Sequence, residues 1–168
     1  SDQSHPPIDD NAILSEVPAS PPAKHVLMLG WNQHSLTLVR NLSDYIPDGS
    51  TITVAASCND SRSQVEQFAP ATNLSLEHRE IDPTDRNQLE SLPFDSIDHV
   101  VILPCYEIES SGKPLTIDQL DSSTLVTLLN VRNIRQRGGY SLTITSEILD
   151  VENRSLIETS EDDDFVVS

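Results

Sequence analysis

Residues Gly30-Trp31-Asn32-Gln33-His34-Ser35 follow a short apolar run and open a stretch of helical periodicity. This is the strand-turn-helix position at which a dinucleotide fingerprint cradles a pyrophosphate. The fingerprint's three glycines fall on Gly30, Asn32 and Ser35. Gly30 suits the tight turn. Asn32 tolerates positive φ, yet its Cβ stands where a backbone must approach a phosphate. Ser35 is small enough for close helix–strand contact and is placed to cap the helix. The helix N-terminus favours an anion whatever the loop sequence. After the second apolar run stand Ser57 and Asp60, where an acidic residue would hold an adenosine ribose. Asp82 and Thr84 follow the third run and Pro104 the fourth. With Trp31, these residues are the candidate positions for NAD or another adenine nucleotide. The other reading is an empty or repurposed cleft. Trp31, the only tryptophan, could stack on an adenine, cover an interface, or be an ordinary partly buried ring.

Catalytic constellations are missing from the sequence. There is no G-x-S-x-G elbow. No Tyr-x-x-x-Lys pair exists for dehydrogenase chemistry, because neither Lys24 nor Lys113 lies four residues after a tyrosine. His5, His25, His34, His78 and His99 lack metal-ligand spacing. The acidic tract 161–164, Glu161-Asp162-Asp163-Asp164, could bind a divalent cation through hard oxygens. It lacks an EF-hand's glycine punctuation, and a solvated acidic turn explains it as well. Cys58 and Cys105 follow the second and fourth runs. With one strand between them their Cα atoms would stand about 9–10 Å apart. That is beyond bridging distance, so two free thiols are expected.

The elements that must position these residues alternate. Strands are expected at Lys24–Gly30, Thr51–Ala56, Leu74–Ile81, His99–Leu103, Tyr140–Thr145 and Phe165–Val167. Helices are expected at Ser35–Tyr45, Ser61–Phe68, Asp85–Leu92 with Thr84 as N-cap, Asp118–Gln136 and Leu149–Ile157. Gly138 and Gly139 end the longest. Such alternation gives an α/β fold, a Rossmann-like doubly wound parallel sheet ordered 3-2-1-4-5-6. Residues 1–22 hold five prolines and no sustained apolar period, so they read as a flexible arm or linker, with residues 23–168 as the domain.

The chain has 168 residues, the size of one domain, and a formal charge of −17. Few lysines and arginines argue against nucleic acid and against anionic lipid. No run is long and apolar enough to cross a bilayer, so direct membrane insertion by this segment is not expected.

Several segments, taken in order, resemble the RCK/KTN-type (TrkA-N-like) regulatory domains, and among them the Castor/Pollux ion-channel family. They are the Gly30-Trp31 turn with Pro47-Asp48-Gly49-Ser50, Ile81-Asp82-Pro83-Thr84-Asp85, Thr127 to Ile134, Ser146 to Asp150 with Arg154, and Asp164 to Ser168. Asn32 and Ser35 stand where that family has glycines, and Ser57 where an acidic residue usually ends strand two. The resemblance implies a ligand-sensing gating domain on the cytosolic side of a membrane, controlling potassium-type cation transport. It would be joined to a pore domain in the same polypeptide and assemble with other copies of itself. No enzymatic activity is implied. A fragment of an NAD(P)-dependent oxidoreductase or epimerase, and a stand-alone TrkA-like potassium-transporter subunit, are the alternatives.

Overall fold

The structure, a computed structural model, describes residues 21–58, 60–106, 112–147 and 165–167. Strand β1 (His25–Leu29) leads into helix α1 (Ser35–Tyr45). Strand β2 (Thr51–Ala56), helix α2 (Ser61–Phe68) and strand β3 (Ser75–Glu80) follow. A single turn of helix, α3 (Arg86–Leu89), leads to β4 (His99–Ile102). The long helix α4 (Ile117–Gly138), β5 (Thr143–Glu147) and β6 (Phe165–Val167) complete the order. The strands form one parallel sheet, β3-β2-β1-β4-β5-β6.

Strand β1 is apolar on both faces because both faces are covered. Leu27 and Leu29 join Ala55, Val100, Ile102, Leu128 and Ile144 in one core. Val26 and Met28 join Val39, Ile52, Val54 and Val65 in the other. The two cores contain α4 and α1–α2 residues respectively, so the helices pack on opposite faces. Leu27, Met28 and Leu29 are fully buried, and each such side chain contributes about 1.5–3 kcal/mol.

Local chemistry sets the helix ends. Thr116 and Gln119 form a capping box at the start of α4, and Gly139, at φ 66°, closes its end. The helix runs through Gly138, so only the second of the two glycines terminates it. At α3 the expected cap is corrected. Asp85, not Thr84, accepts hydrogen bonds from the Asn87 and Gln88 amides. Thr84 is engaged one turn earlier, donating its amide and hydroxyl to Asp82 Oδ1 at 3.0 and 2.7 Å. The helix is also shorter than its pattern, because Leu92-Pro93 cannot continue it. The expected helix Leu149–Ile157, the tract 161–164 and residues 1–20 of the expected arm lie outside the described residues.

Two histidines give the fold a pH dependence. Burial holds the His99 imidazole below its ordinary pKa of 6.5. His78 is also lowered, by burial first and then by the Arg62 guanidinium, against the opposing pull of Glu80 and Glu66. The unfolded chain takes up protons near pH 6.5 that the folded chain refuses. Their contribution to stability is therefore complete above that pH and is lost as pH falls towards the folded-state values. Urea unfolding should show a lower midpoint at about pH 5.5 than at about pH 7.5. His99→Gln should flatten that difference; an unchanged difference would acquit His99.

Candidate functional site

The C-terminal edges of β1, β2, β3 and β4 and the N-terminal half of α4 enclose a cavity of about 260 Å³. Gly30, Ser57, Asp82, Thr84 and Pro104 line it, with Cys58, Cys105, Ser123, Thr124 and Thr127. Five of the nine sequence-derived candidates therefore meet at one crevice, where strand order reverses and ligands of this fold bind.

The other four lie elsewhere. Trp31 is 2% exposed and belongs to the core beneath α1 and α2, donating its indole N–H to Gln64 Oε1 at 2.9 Å. Of the readings open from sequence, burial describes this ring. Asp60 sits at φ 66° as the residue before α2, with no side-chain cap bond. Asn32 and Ser35 are buried and occupied with the turn itself. Asn32 donates through Nδ2 to the Pro104 carbonyl at 3.0 Å and accepts the His34 amide at 2.9 Å. The Asn32 amide goes to Ser35 Oγ at 2.9 Å, and the Ser35 amide to the Asn32 carbonyl at 3.1 Å.

These bonds alter what the turn can do. Where glycines would leave amides for a pyrophosphate, side chains here satisfy the amides of Asn32 and His34, and the Asn32 backbone carbonyl satisfies that of Ser35. Gly30 keeps its fingerprint role for a different reason. It lies at φ +95°, and an added Cβ would overlap the Leu103 carbonyl oxygen. It is the point where β1 passes under the β4 loop.

The crevice wall mostly presents acceptors. Thr124 Oγ1 donates to the Leu120 carbonyl at 3.0 Å. Thr127 Oγ1 donates to the carbonyls of Pro83 at 3.2 Å and Ser123 at 3.1 Å. Each hydroxyl spends its proton on backbone and keeps lone pairs. Asp82 Oδ1 is taken by Thr84, while Oδ2 makes no hydrogen bond among the described residues. Such a wall suits a ligand that brings O–H or N–H donors. Sequence reasoning missed Ser123, Thr124 and Thr127. The signal was hydroxyl residues spaced by one and three on the first turns of a helix whose N-terminus faces the crevice.

The cysteines require a correction. Cys58 and Cys105 are joined as a disulfide, with Cα atoms 6.0 Å apart. The expectation of free thiols took the interstrand spacing of the sheet and carried it past the sheet's edge. Strand β1 ends at Leu29, and Gly30 turns the chain away into α1. Beyond that point no strand separates the β2 loop from the β4 loop, and the two lean together above Gly30.

Among the described residues, no group of three or more His, Cys, Asp or Glu side chains is placed to hold a metal ion. Nor is any helix there long and apolar enough to cross a membrane.

No protein-family model matches the chain. Among curated proteins it is similar to the probable ion channel CASTOR of Oryza sativa subsp. japonica, at 27% identity over 90% of this chain and 20% of that one. It is similar to the probable ion channel POLLUX of the same species at 26% identity, over 93% of this chain and 19% of that one. Over nine-tenths of its length the chain is thus similar to ion channels of the Castor/Pollux type. It spans about a fifth of the length of these curated relatives. Among solved structures, the GsuK channel bound to NAD shares the fold of this chain. The TM-score is 0.53 and the identity 16%, over 88% of this chain and 22% of that one.

Proposed function

We propose that this chain is an RCK-type domain, the cytosolic ligand-sensing part of a cation channel of the Castor/Pollux type, joined to a pore domain and assembled with copies of itself. The observation that carries this reading is similarity over nine-tenths of the chain to proteins named as ion channels, combined with a ligand crevice at the switch point of the sheet. Potassium-type selectivity comes from the same resemblance. Self-association is supported by α4, where Ile117, Val126 and Leu129 are 54%, 45% and 60% exposed.

An adenine nucleotide is the ligand class for the crevice. GsuK is bound to NAD, and the acceptors of Asp82, Thr124 and Thr127 suit ribose hydroxyls and an adenine amino group. With the turn amides already satisfied, recognition rests on the nucleoside part more than on the phosphates. Full-length protein carrying this domain should be recorded in planar bilayers. NAD, NADH, ATP and AMP are to be added on the side the domain faces. At least one is expected to change open probability at least twofold, and Asp82→Ala to abolish the response. Open probability indifferent to all four would overturn nucleotide sensing.

An oxidoreductase reading is disfavoured by the missing Tyr-x-x-x-Lys pair and by the acceptor-rich, base-poor wall. The crevice holds neither a histidine nor a lysine among its lining residues.

A further inference from the structure

Past the end of β1 the β2 and β4 loops lean together, and the Cys58–Cys105 bridge, with Cα atoms 6.0 Å apart, ties them across that end. That line is the path a dinucleotide takes over the switch point, with its ribose towards β2 and its far end towards β4. Both cysteines line the cavity, which at about 260 Å³ is smaller than the usual range for a drug-sized ligand. Both residues are also half-buried rather than enclosed.

Each loop is also anchored through backbone at or next to its cysteine. The Cys58 carbonyl accepts the Ser61 amide at 3.2 Å and the Ser61 hydroxyl at 2.9 Å. The Pro104 carbonyl is held by Asn32. Breaking the S–S bond would leave both anchors intact and free the two side chains that meet across the cavity. In a reducing compartment a disulfide is usually transient or redox-sensing. The cytosolic position in the proposed function supplies that setting.

We propose that the Cys58–Cys105 pair is a redox gate on the crevice, closed to nucleotide when bridged and open when reduced to two thiols. The inference rests on the crevice being the ligand site. Closing is thiol–disulfide exchange with a low-molecular-weight disulfide of the glutathione class. One cysteine thiolate attacks that disulfide, forming a mixed disulfide and expelling one small thiol. The second cysteine, as thiolate, displaces the other small thiol, so the protein pair loses two electrons and two protons overall. Opening is the reverse, with two small thiols donating the electrons.

The test compares three samples of this chain: equilibrated with glutathione disulfide, reduced with a phosphine, and carrying Cys58→Ser with Cys105→Ser. Thiol titration should count no free thiol in the first and two in the second. Amide hydrogen exchange at residues 57–58 and 105–106 should be at least tenfold faster in the second and third samples than in the first. Calorimetric titration with NAD and AMP should give at least tenfold tighter binding in the second and third than in the first. Thiols that stay titratable under glutathione disulfide would overturn the gate, as would exchange and affinity that do not differ among the samples. If exchange differs while neither nucleotide binds any sample, the gate stands as a mobility switch and the nucleotide reading fails.

Discussion

Gly30→Ala is expected to remove about 3–4 kcal/mol from the folding stability. Two costs add. An L-residue held at φ +95° gives up about 1–2 kcal/mol. The new Cβ then has to push the Leu103 carbonyl aside, an overpacking cost of about 1–3 kcal/mol. Leu103 cannot retreat freely, because its amide donates to the Leu29 carbonyl at 2.8 Å. Domains of this size are stable by only about 5–15 kcal/mol, so the variant should be markedly more sensitive to urea. Gly49→Ala is the matched control. It shares a positive φ of 84° but meets nothing within 4 Å, and should lose only the conformational part. Equal losses at the two positions would show that the contact with Leu103 is not the cause.

Asn32→Ala should cost about 2–3 kcal/mol. The substitution strands the Pro104 carbonyl and the His34 amide, the two backbone partners of the Asn32 side chain. A buried polar group left without a partner costs about 1–3 kcal/mol. Asn32→Asp keeps the acceptor for His34 but loses the donor for Pro104 and adds a buried charge, so it should be no more stable than the alanine variant. Urea denaturation of both variants measures this. A loss under about 0.5 kcal/mol for alanine would mean that water replaces the amide side chain fully. Stability is the property to watch at Asn32, since the side chain is spent on holding the turn to the β4 loop.

Much of the architecture was legible because it is written locally. β2 and α1 begin and end where their apolar period, β-branched residues and the Pro47-Asp48-Gly49 stop place them. The sheet order followed from alternation and handedness alone. What escaped prediction depends on atoms that meet across the sequence. Thr84 and Asp85 are both good caps, and only the Asp82 carboxylate, which captures Thr84, decides between them. Trp31 turns from the crevice to the core because Gln64, 33 residues away, offers its amide oxygen. The cysteine pair was judged by strand spacing, a rule that lapses where β1 stops. At the site, the fingerprint pattern pointed to the turn at Gly30, which lines the crevice, while Asn32 and Ser35 do not. The crevice's chemistry could not be read from that pattern, since Asn32 and Ser35 turn the phosphate cradle inward and Thr124 and Thr127 contribute from a helix about a hundred residues later.

The position of β1 also has a mechanical consequence. The strand lies in the interior of the sheet, hydrogen-bonded in parallel to β2 on one side and β4 on the other. The Lys24 carbonyl accepts the Thr51 amide at 2.8 Å, and the Lys24 and His25 amides donate to Ser50 Oγ and Asp98 Oδ2, both at 2.9 Å. Tension on the chain ahead of Lys24 would load both ladders in shear, with many bonds sharing the force, instead of unzipping them one at a time. Gly30 and the β4 loop lie at the far end of that same strand, about 17 Å away at the rise of an extended chain. A pull on the leading segment would thus reach the crevice along a stiff rod, and a tightened crevice would push back along it.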